Sequence, residues 1–451
     1  MALNDEEQRL QQADNGKEDW RLFGPYLSER QWGTVREDYS EGGTAWDSFP
    51  HDHARSRAYR WGEDGIAGLS DSGQNLCFAL ALWNGKDAIV KERLFGLTND
   101  QGNHGEDVKE YYYYQDSTPT HSYMKMLYKY PHAAFPYGDL LAENARRKAT
   151  DSAGFEYELI DTGVFDEDRY FDVTVEYAKR GVDDILVRIT AHNHGPEDHA
   201  IWLLPTVWFR NTWSWNQGAK RPNLKAEGDD AVFILHDEMP DMRLSCPEAD
   251  SLLFCDNETN RRRLYGQDGP LFPKDGINNH IVNGDPSVNP AKTGTKASAL
   301  YTRVVPAGKS VTVILRLARA TEAKGLGKAA DKLFATRIAE ADAFYDTRIP
   351  ANASADQRMI ARQAHAGMMW SKQFFHYVVS DWLDGDEVPP PDGRKHGRNK
   401  EWRHLHAEDI ISMPDAWEYP WFASWDLSFH TVVLARTDLN FAKEQVLLLS
   451  R

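Results

Sequence analysis

Aromatic and acidic side chains are concentrated between residues 415 and 430. The stretch holds three tryptophans, a tyrosine and several carboxylates. Aromatic rings stack on the C–H faces of pyranose rings, and carboxylates bind sugar hydroxyls, so this composition is typical of a sugar-binding wall. A carboxyl group beside Trp425 is expected to be shielded from water, which raises its pKa and suits a glycosidic general acid. The candidate binding residues here are Trp417, Glu418, Tyr419, Trp421, Trp425 and His430.

The same tryptophans also fit a structural role. Trp417, Trp421 and Trp425 are spaced by four residues, which places them on one stripe of a helix that can pack into a core. Pro420 interrupts a continuous helix through the segment and so weakens this interpretation. Both interpretations remain open from the spacing alone.

A second polar stretch, Asn99 to Asp107, has the composition of a binding loop. Glycines at 102 and 105 permit a tight backbone path, and Asn103, His104 and Glu106 can hydrogen-bond sugar hydroxyls. An ordinary turn with solvated acids explains the stretch equally well. A similar cluster at residues 29–38 is expected to form salt-bridged packing.

Motifs for metals and cofactors are weak. His51-Asp-His53 and His404-Leu-His406 place alternate histidines on one side of an extended chain, but no third ligand of definite spacing is visible. The chain contains no HExxH, GxGxxG, GxxxxGK[ST] or GxSxG motif. We therefore expect no metal and no cofactor.

Charge and composition indicate which classes of partner and which cellular compartment are expected for this protein. A formal net charge of -17 without a long basic run disfavours nucleic acid and anionic membrane partners. No apolar stretch reaches the length of a membrane span, and the first residues lack a signal-peptide pattern, which predicts a cytoplasmic protein. The cysteines Cys77, Cys246 and Cys255 lack a close-spaced pair and are expected to be packed, reduced thiols.

The hydrophobic periodicity divides the chain into two parts. Residues 1–18 are polar and are expected to be a tail that contributes no core. Residues 19–320 carry short alternating or β-branched segments, which predict an antiparallel β-sandwich; the clearest segments are 75–83, 171–177, 184–190 and 310–317.

After Arg319 the period becomes helical. Helices are predicted from Ala329 to Tyr345, from Ala355 to about Trp382, and from near Trp425 and Asn440. Residues 321–350 are interpreted as a helical linker, and residues 351–451 as the start of a helical domain. The apolar run Leu447-Leu448-Leu449 at the C-terminus predicts that further helices are needed to cover this domain and that the chain is truncated.

Several blocks resemble glycoside hydrolase family 63, which includes processing glucosidases and mannosylglycerate hydrolases. The stretch Trp421 to His430 is similar to the barrel motif that ends in Trp-Asp, and the blocks at 24–33, 95–110 and 208–215 resemble a bacterial glucosidase branch. The resemblance implies a β-sandwich followed by an (α/α)6 barrel, an inverting mechanism, and Asp426 as the general acid. The family's base is a glutamate on a late barrel helix, and no position here matches it.

These observations predict a glycoside hydrolase that acts on an α-glucoside or a small glycoside such as a glycosylglycerate. An alternative from another class is a non-catalytic carbohydrate-binding or scaffold fragment.

Overall fold

A computed structural model describes residues 3–28, 51–97, 107–150, 154–215, 218–322, 324–326, 330–385, 400–413 and 422–450. The strands in these ranges are β1 Phe23–Gly24, β2 Ile66–Asp71, β3 Leu76–Trp83, β4 Gly96–Leu97, β5 Asp107–Val108, β6 Tyr112–Ser117, β7 Tyr123–Pro131, β8 Tyr170–Gly181, β9 Asp184–Asn193, β10 His199–Phe209, β11 Asn223–Ala226, β12 Ala231–Leu235, β13 Met242–Ser245, β14 Ser251–Cys255, β15 Thr293–Gly294, β16 Lys296–Val305, β17 Ser310–Arg319, β18 Lys372–Val378 and β19 His406–Ser412. The helices are α1 Asp5–Asp14, α2 His51–Ala54, α3 Tyr137–Thr150, α4 Arg261–Tyr265, α5 Gly276–Asn283, α6 Ala330–Asp346, α7 Ala355–Trp370, α8 Val379–Asp384, α9 Ser424–Leu434 and α10 Leu439–Leu448.

Two large antiparallel sheets share one apolar core. One sheet has the strand order β1-β2-β3-β10-β16-β14, and the other has the order β15-β11-β12-β13-β17-β9-β8-β7-β6. The rings of Phe78 and Tyr177, one from each sheet, lie 6.2 Å apart, and the Tyr177 hydroxyl donates to the carbonyl of Ala67. The large antiparallel sheets predicted for this part of the chain are confirmed.

Successive side chains of β8 point to opposite faces of the nine-stranded sheet, and both faces are packed. Phe171, Val173 and Tyr177 point into the shared core and are buried. Glu176 faces the other side, where it accepts hydrogen bonds from the Tyr123 hydroxyl and the Arg188 guanidinium, both at 2.7 Å. The nine-stranded sheet therefore has a second packed face.

Helix α6 covers that second face. Its Phe334 is fully buried and packs with Tyr123, Ala178 and Leu186. The guanidinium of Arg188 lies 4.1 Å from the centre of the Phe334 ring. Residues expected to form a linker thus include a helix that is part of the sandwich packing, while the boundaries at 320 and 350 stay predictions.

The N-terminal segment differs from the expectation of a tail without core contacts. Asn4 caps α1, and Leu10 packs against a cluster that contains Phe344 and Ile349. The carboxylate of Glu6 is fully buried and accepts hydrogen bonds from both the backbone and the hydroxyl of Thr120, at 2.9 and 2.7 Å. The expectation is wrong because it was based on the polar composition of the segment. A charged residue such as Glu6 can still be buried when its carboxylate is hydrogen-bonded.

A strand interrupts the predicted helix from Ala355 to about Trp382. Helix α7 ends at Trp370, and β18 then pairs antiparallel with β19 from Lys372↔Ser412 to Val378↔His406. The run Gln373 to Val378 is aromatic and β-branched, which favours a strand once a partner strand is available. The prediction of a continuous helix from Ala355 to about Trp382 is therefore wrong.

Helices α9 and α10 begin where the sequence predicts them, near Trp425 and Asn440. The assignment of this region to an (α/α)6 barrel stays a prediction. Among the described residues, no helix has both the length and the apolar composition needed to cross a membrane.

The cysteines are free and buried, as predicted. Burial raises the pKa of the Cys77, Cys246 and Cys255 thiols, so they lack the thiolate character of reactive cysteines.

Candidate active site

Helix α9 carries the predicted acid. Leu427 and Leu434 are buried and anchor the helix, whereas Trp425 is 76% exposed and Phe429 is 63% exposed. The two aromatic rings are one turn apart, with centroids 6.1 Å from each other. Asp426 lies in the first turn, half-buried, where the positive end of the helix dipole favours an acidic side chain.

His430 connects this helix to the β18–β19 hairpin. It lies one turn after Asp426, and its Nδ1 is 2.9 Å from the hydroxyl oxygen of Ser412 on β19. Burial lowers the pKa of His430, while the nearby Asp426 carboxylate acts in the opposite direction. The imidazole is thus a neutral hydrogen-bonding group at neutral pH and is positioned beside the candidate acid.

Of the predicted binding residues, the described part of the chain brings together Trp425 and His430 around Asp426. Four others, Trp417, Glu418, Tyr419 and Trp421, fall outside the described residues, and so do Asn103, His104 and Glu106. Trp425 points largely into solvent, so the shielding of Asp426 that the sequence argument required is not provided by this ring.

A cavity of about 420 Å³ lies close to α10 and was not predicted. Its lining comes from five separate parts of the chain: Asp19, Arg21, Tyr26, Ser72, Lys372, Asp409, Ile410, Phe441, Glu444, Gln445, Leu447 and Leu448. The volume falls within the range of small-molecule sites. Because the lining residues are so far apart in sequence, no local motif could have indicated the cavity.

Charged groups fix the inner wall of this cavity. Arg21 donates to the Asp438 carboxylate at 2.8 and 3.1 Å, and Asp438 caps α10 by accepting from the Phe441 backbone. Burial lowers the pKa of Lys372 to about 8, with Asp438 opposing this effect. Donors, acceptors and the Phe441 ring together form a polar, partly aromatic recess.

A second cluster of charges lies under the six-stranded sheet. Three acids (Glu63, Asp64, Glu92) and three bases (Arg93, Lys274, Lys296) line an enclosed space of about 20 Å³. The Arg93 guanidinium donates to Asp64 at 3.0 Å, and Lys296 pairs with Glu92. The charges balance, and the space is large enough for one water molecule but not for a substrate, so we interpret the cluster as structural.

The two histidine motifs have different surroundings. His51 packs against the rings of Phe95 and Tyr137, at 5.2 and 5.7 Å. His406 lies near His376 of β18 and Glu408 of β19, and the potential ligand atoms of these three residues are within 4.8 Å of one another. Of the His404 and His406 pair, only His406 belongs to this group; the other two members, His376 and Glu408, were not singled out from the sequence.

Comparison with known proteins gives one extensive relative. The uncharacterized protein YMR196W of Saccharomyces cerevisiae is 42% identical over 99% of this chain and 45% of its own length. The chain therefore spans less than half of that relative. No family model matches.

Two solved structures show partial similarity, each at 9% sequence identity. One is a polysaccharide lyase, with a TM-score of 0.25 over 60% of this chain and 28% of the lyase. The other is a protein from the human microbiome assigned as a kojibiose phosphorylase, with a TM-score of 0.20 over 81% of this chain and 40% of that protein. At such TM-scores neither similarity bears on fold or activity.

Proposed function

We propose that the protein is a glycoside hydrolase related to family 63, in which Asp426 is the general acid of an inverting reaction on an α-glucoside or a small glycoside. The observation that carries this proposal is the surface of α9, where Asp426 lies beside the exposed rings of Trp425 and Phe429. Exposed tryptophans are unusual in a packed protein, and a carboxylate beside them matches the needs of sugar binding and protonation.

The proposed chemistry assigns a role to Trp425, Asp426 and His430. A sugar stacked on Trp425 covers Asp426 and removes it from water, which supplies the shielding that the free protein lacks. Asp426 then protonates the leaving oxygen of the glycosidic bond. His430, held by Ser412, orients the carboxylate from the inner side. Inversion also requires a base roughly 6.5–9.5 Å from the acid, and no position of this chain matches the family's glutamate.

The test is an Asp426→Asn variant, made in the protein at the full length that its coding region specifies. Turnover of a glycoside with a poor leaving group should fall by about 10²–10⁴-fold, because protonation of that group is lost. An aryl or fluoride glycoside needs less protonation and should lose much less activity. This contrast distinguishes an acid from a residue that positions the sugar.

Glu418 is the rival carboxylate in the sequence motif, and Glu418→Gln is the matched comparison. If it binds hydroxyls, the variant should weaken both substrates alike. Near-normal turnover of Asp426→Asn on the poor substrate, together with a selective loss in Glu418→Gln, would transfer the acid role to Glu418.

A second candidate function, carbohydrate binding without catalysis, is favoured by the 420 Å³ cavity. In that case Asp409 and Glu444 of the lining bind hydroxyls. Sugar titration by calorimetry separates the two proposals: Glu444→Gln should abolish binding if the cavity is the site, whereas Asp426→Asn should leave binding there unchanged.

A further inference from the structure

The β18–β19 hairpin places three metal-binding side chains on one face. His376 lies opposite Glu408 in the antiparallel register, and Val378 lies opposite His406. Side chains two residues apart on a strand share a face, so His406 and Glu408 point to the same side as His376. Nε2 of His406 and Oε2 of Glu408 are 3.5 Å apart, and all three ligand atoms lie within 4.8 Å of one another.

We propose that His376, His406 and Glu408 bind a divalent transition-metal ion, with Zn²⁺ as the preferred ion. Two imidazoles and one carboxylate form a ligand set found in zinc sites with an open fourth position. Bonds of about 2.0–2.2 Å in tetrahedral geometry hold neighbouring ligand atoms about 3.3 Å apart. The His406–Glu408 pair already has this spacing, and both side chains are exposed enough to rotate toward His376.

The state of His376 suits coordination. Its Nδ1 is buried and has no hydrogen-bond partner among the described residues, a costly condition that a bound cation can relieve. Trp61 and Phe374, with ring centroids at 5.4 and 5.9 Å, fix the orientation of the imidazole.

Nearby positive charges make the Glu408 carboxylate important for the affinity of the site for a cation. The guanidinium groups of Arg60 and Arg210 act on His376 and oppose a cation, although Arg60 is paired with Asp381 at 3.0 Å. Glu408 is the anionic member of the ligand set. Affinity should therefore depend on Glu408 more than it would in a site without neighbouring cations.

A bound ion would cross-link the two strands of the hairpin. A two-stranded sheet is marginally stable by itself, so the link stabilises the segment that carries Ser412 to its contact with His430. Glu408 and Ser412 are four residues apart, roughly 13 Å along the strand. The metal site is thus separate from Asp426 and does not depend on the proposed catalytic role.

The experiment uses the whole chain after dialysis against a chelator. Calorimetric titration with Zn²⁺ should give one ion per chain, and Co²⁺ should give the visible absorption of a tetrahedral site. In His406→Ala and Glu408→Gln the affinity should fall by at least about tenfold, and the Co²⁺ band should be lost. Both residues are exposed, so circular dichroism should show unchanged folding.

His404→Ala is the matched control. His404 is exposed, lies two residues before His406, and stacks on Trp402 at 5.7 Å, outside the ligand set. The His404→Ala variant should bind Zn²⁺ as tightly as the unmodified chain does. The proposal is overturned if the unmodified chain binds no Zn²⁺, if His406→Ala and Glu408→Gln bind as tightly as that chain, or if His404→Ala weakens binding as much as His406→Ala.

Discussion

Helices α6 and α9 each carry a phenylalanine, but the two side chains have opposite environments. Phe334 of α6 is fully buried against the nine-stranded sheet, whereas Phe429 of α9 is mostly exposed. The contrast extends to their neighbourhoods: the two sheets of the sandwich enclose a large apolar core, whereas many apolar side chains of the C-terminal helices are open to solvent. The exposed members are Trp425, Phe429, Val432, Val433, Leu439, Val446 and Leu447.

This difference in exposure indicates which part of the molecule is available to bind a ligand. In the sandwich many apolar side chains lie in the shared core and buried charges such as Lys296 and Glu92 are paired, so these residues serve stability. In α9 and α10, apolar and acidic groups are accessible to a ligand or to other polypeptide. The candidate acid lies in the second region, on a helix held by only a few buried side chains.

The largest expected effect concerns the boundary of the sandwich. A chain that ends near Arg319 lacks α6, which uncovers Tyr123, Ala178 and Leu186, so it should aggregate or bind a hydrophobic dye strongly. A chain that ends near Ala353 keeps α6, although it lacks Ala366 and Trp370 of the shared core, so it should bind less dye than the shorter chain and melt more cooperatively. Dye fluorescence and calorimetry decide between them. Equal behaviour of the two chains would mean that α6 is a linker, as the sequence predicted.

The next effect compares the two phenylalanines directly. Phe334→Ala should lower the free energy of unfolding by about 3–5 kcal/mol, because it removes a large side chain from a closed core. Phe429→Ala should change it by no more than about 0.5 kcal/mol. Urea unfolding followed by circular dichroism gives both values. A loss above about 2 kcal/mol for Phe429→Ala would show that the ring is covered in solution.

The smallest effect is a pH dependence at His430. Since the pKa of this ring is lowered in the folded state, the unfolded chain binds more protons below about pH 6.5. The free energy of unfolding should therefore fall as the pH drops through that value, and His430→Asn should flatten this slope slightly. Urea unfolding at several pH values between 5 and 7.5 measures the difference. An unchanged slope would place His430 in water in the folded state.

Much of the sandwich could be predicted because the order of apolar and polar residues in its strands shows which side chains are buried. In β8, Phe171, Val173 and Tyr177 alternate with polar residues, which indicates a strand with one buried face. The run from Lys372 to Val378 was misassigned because its apolar residues also fit a helical period. Only pairing with β19, about thirty residues later, decides between the two.

The candidate sites show the same limit. A local motif was enough to propose Asp426 as the acid, and that role stays a prediction. The contact of His430 with Ser412 joins a helix to a strand eighteen residues earlier, and the grouping of His376 with His406 depends on the strand register. Neither can be read from spacing, because both are set by which strands and helices become neighbours in the fold.

The docking of α1 has a consequence for the order of events during synthesis. Arg9 is held between Glu6 and Glu340, and Glu6 is bonded to Thr120. At typical translation rates, residue 340 is made roughly 15–70 s after residue 6. A ten-residue helix is only marginally stable alone. Helix α1 therefore waits for its partners after it has been made, and chaperones have access to it throughout that interval.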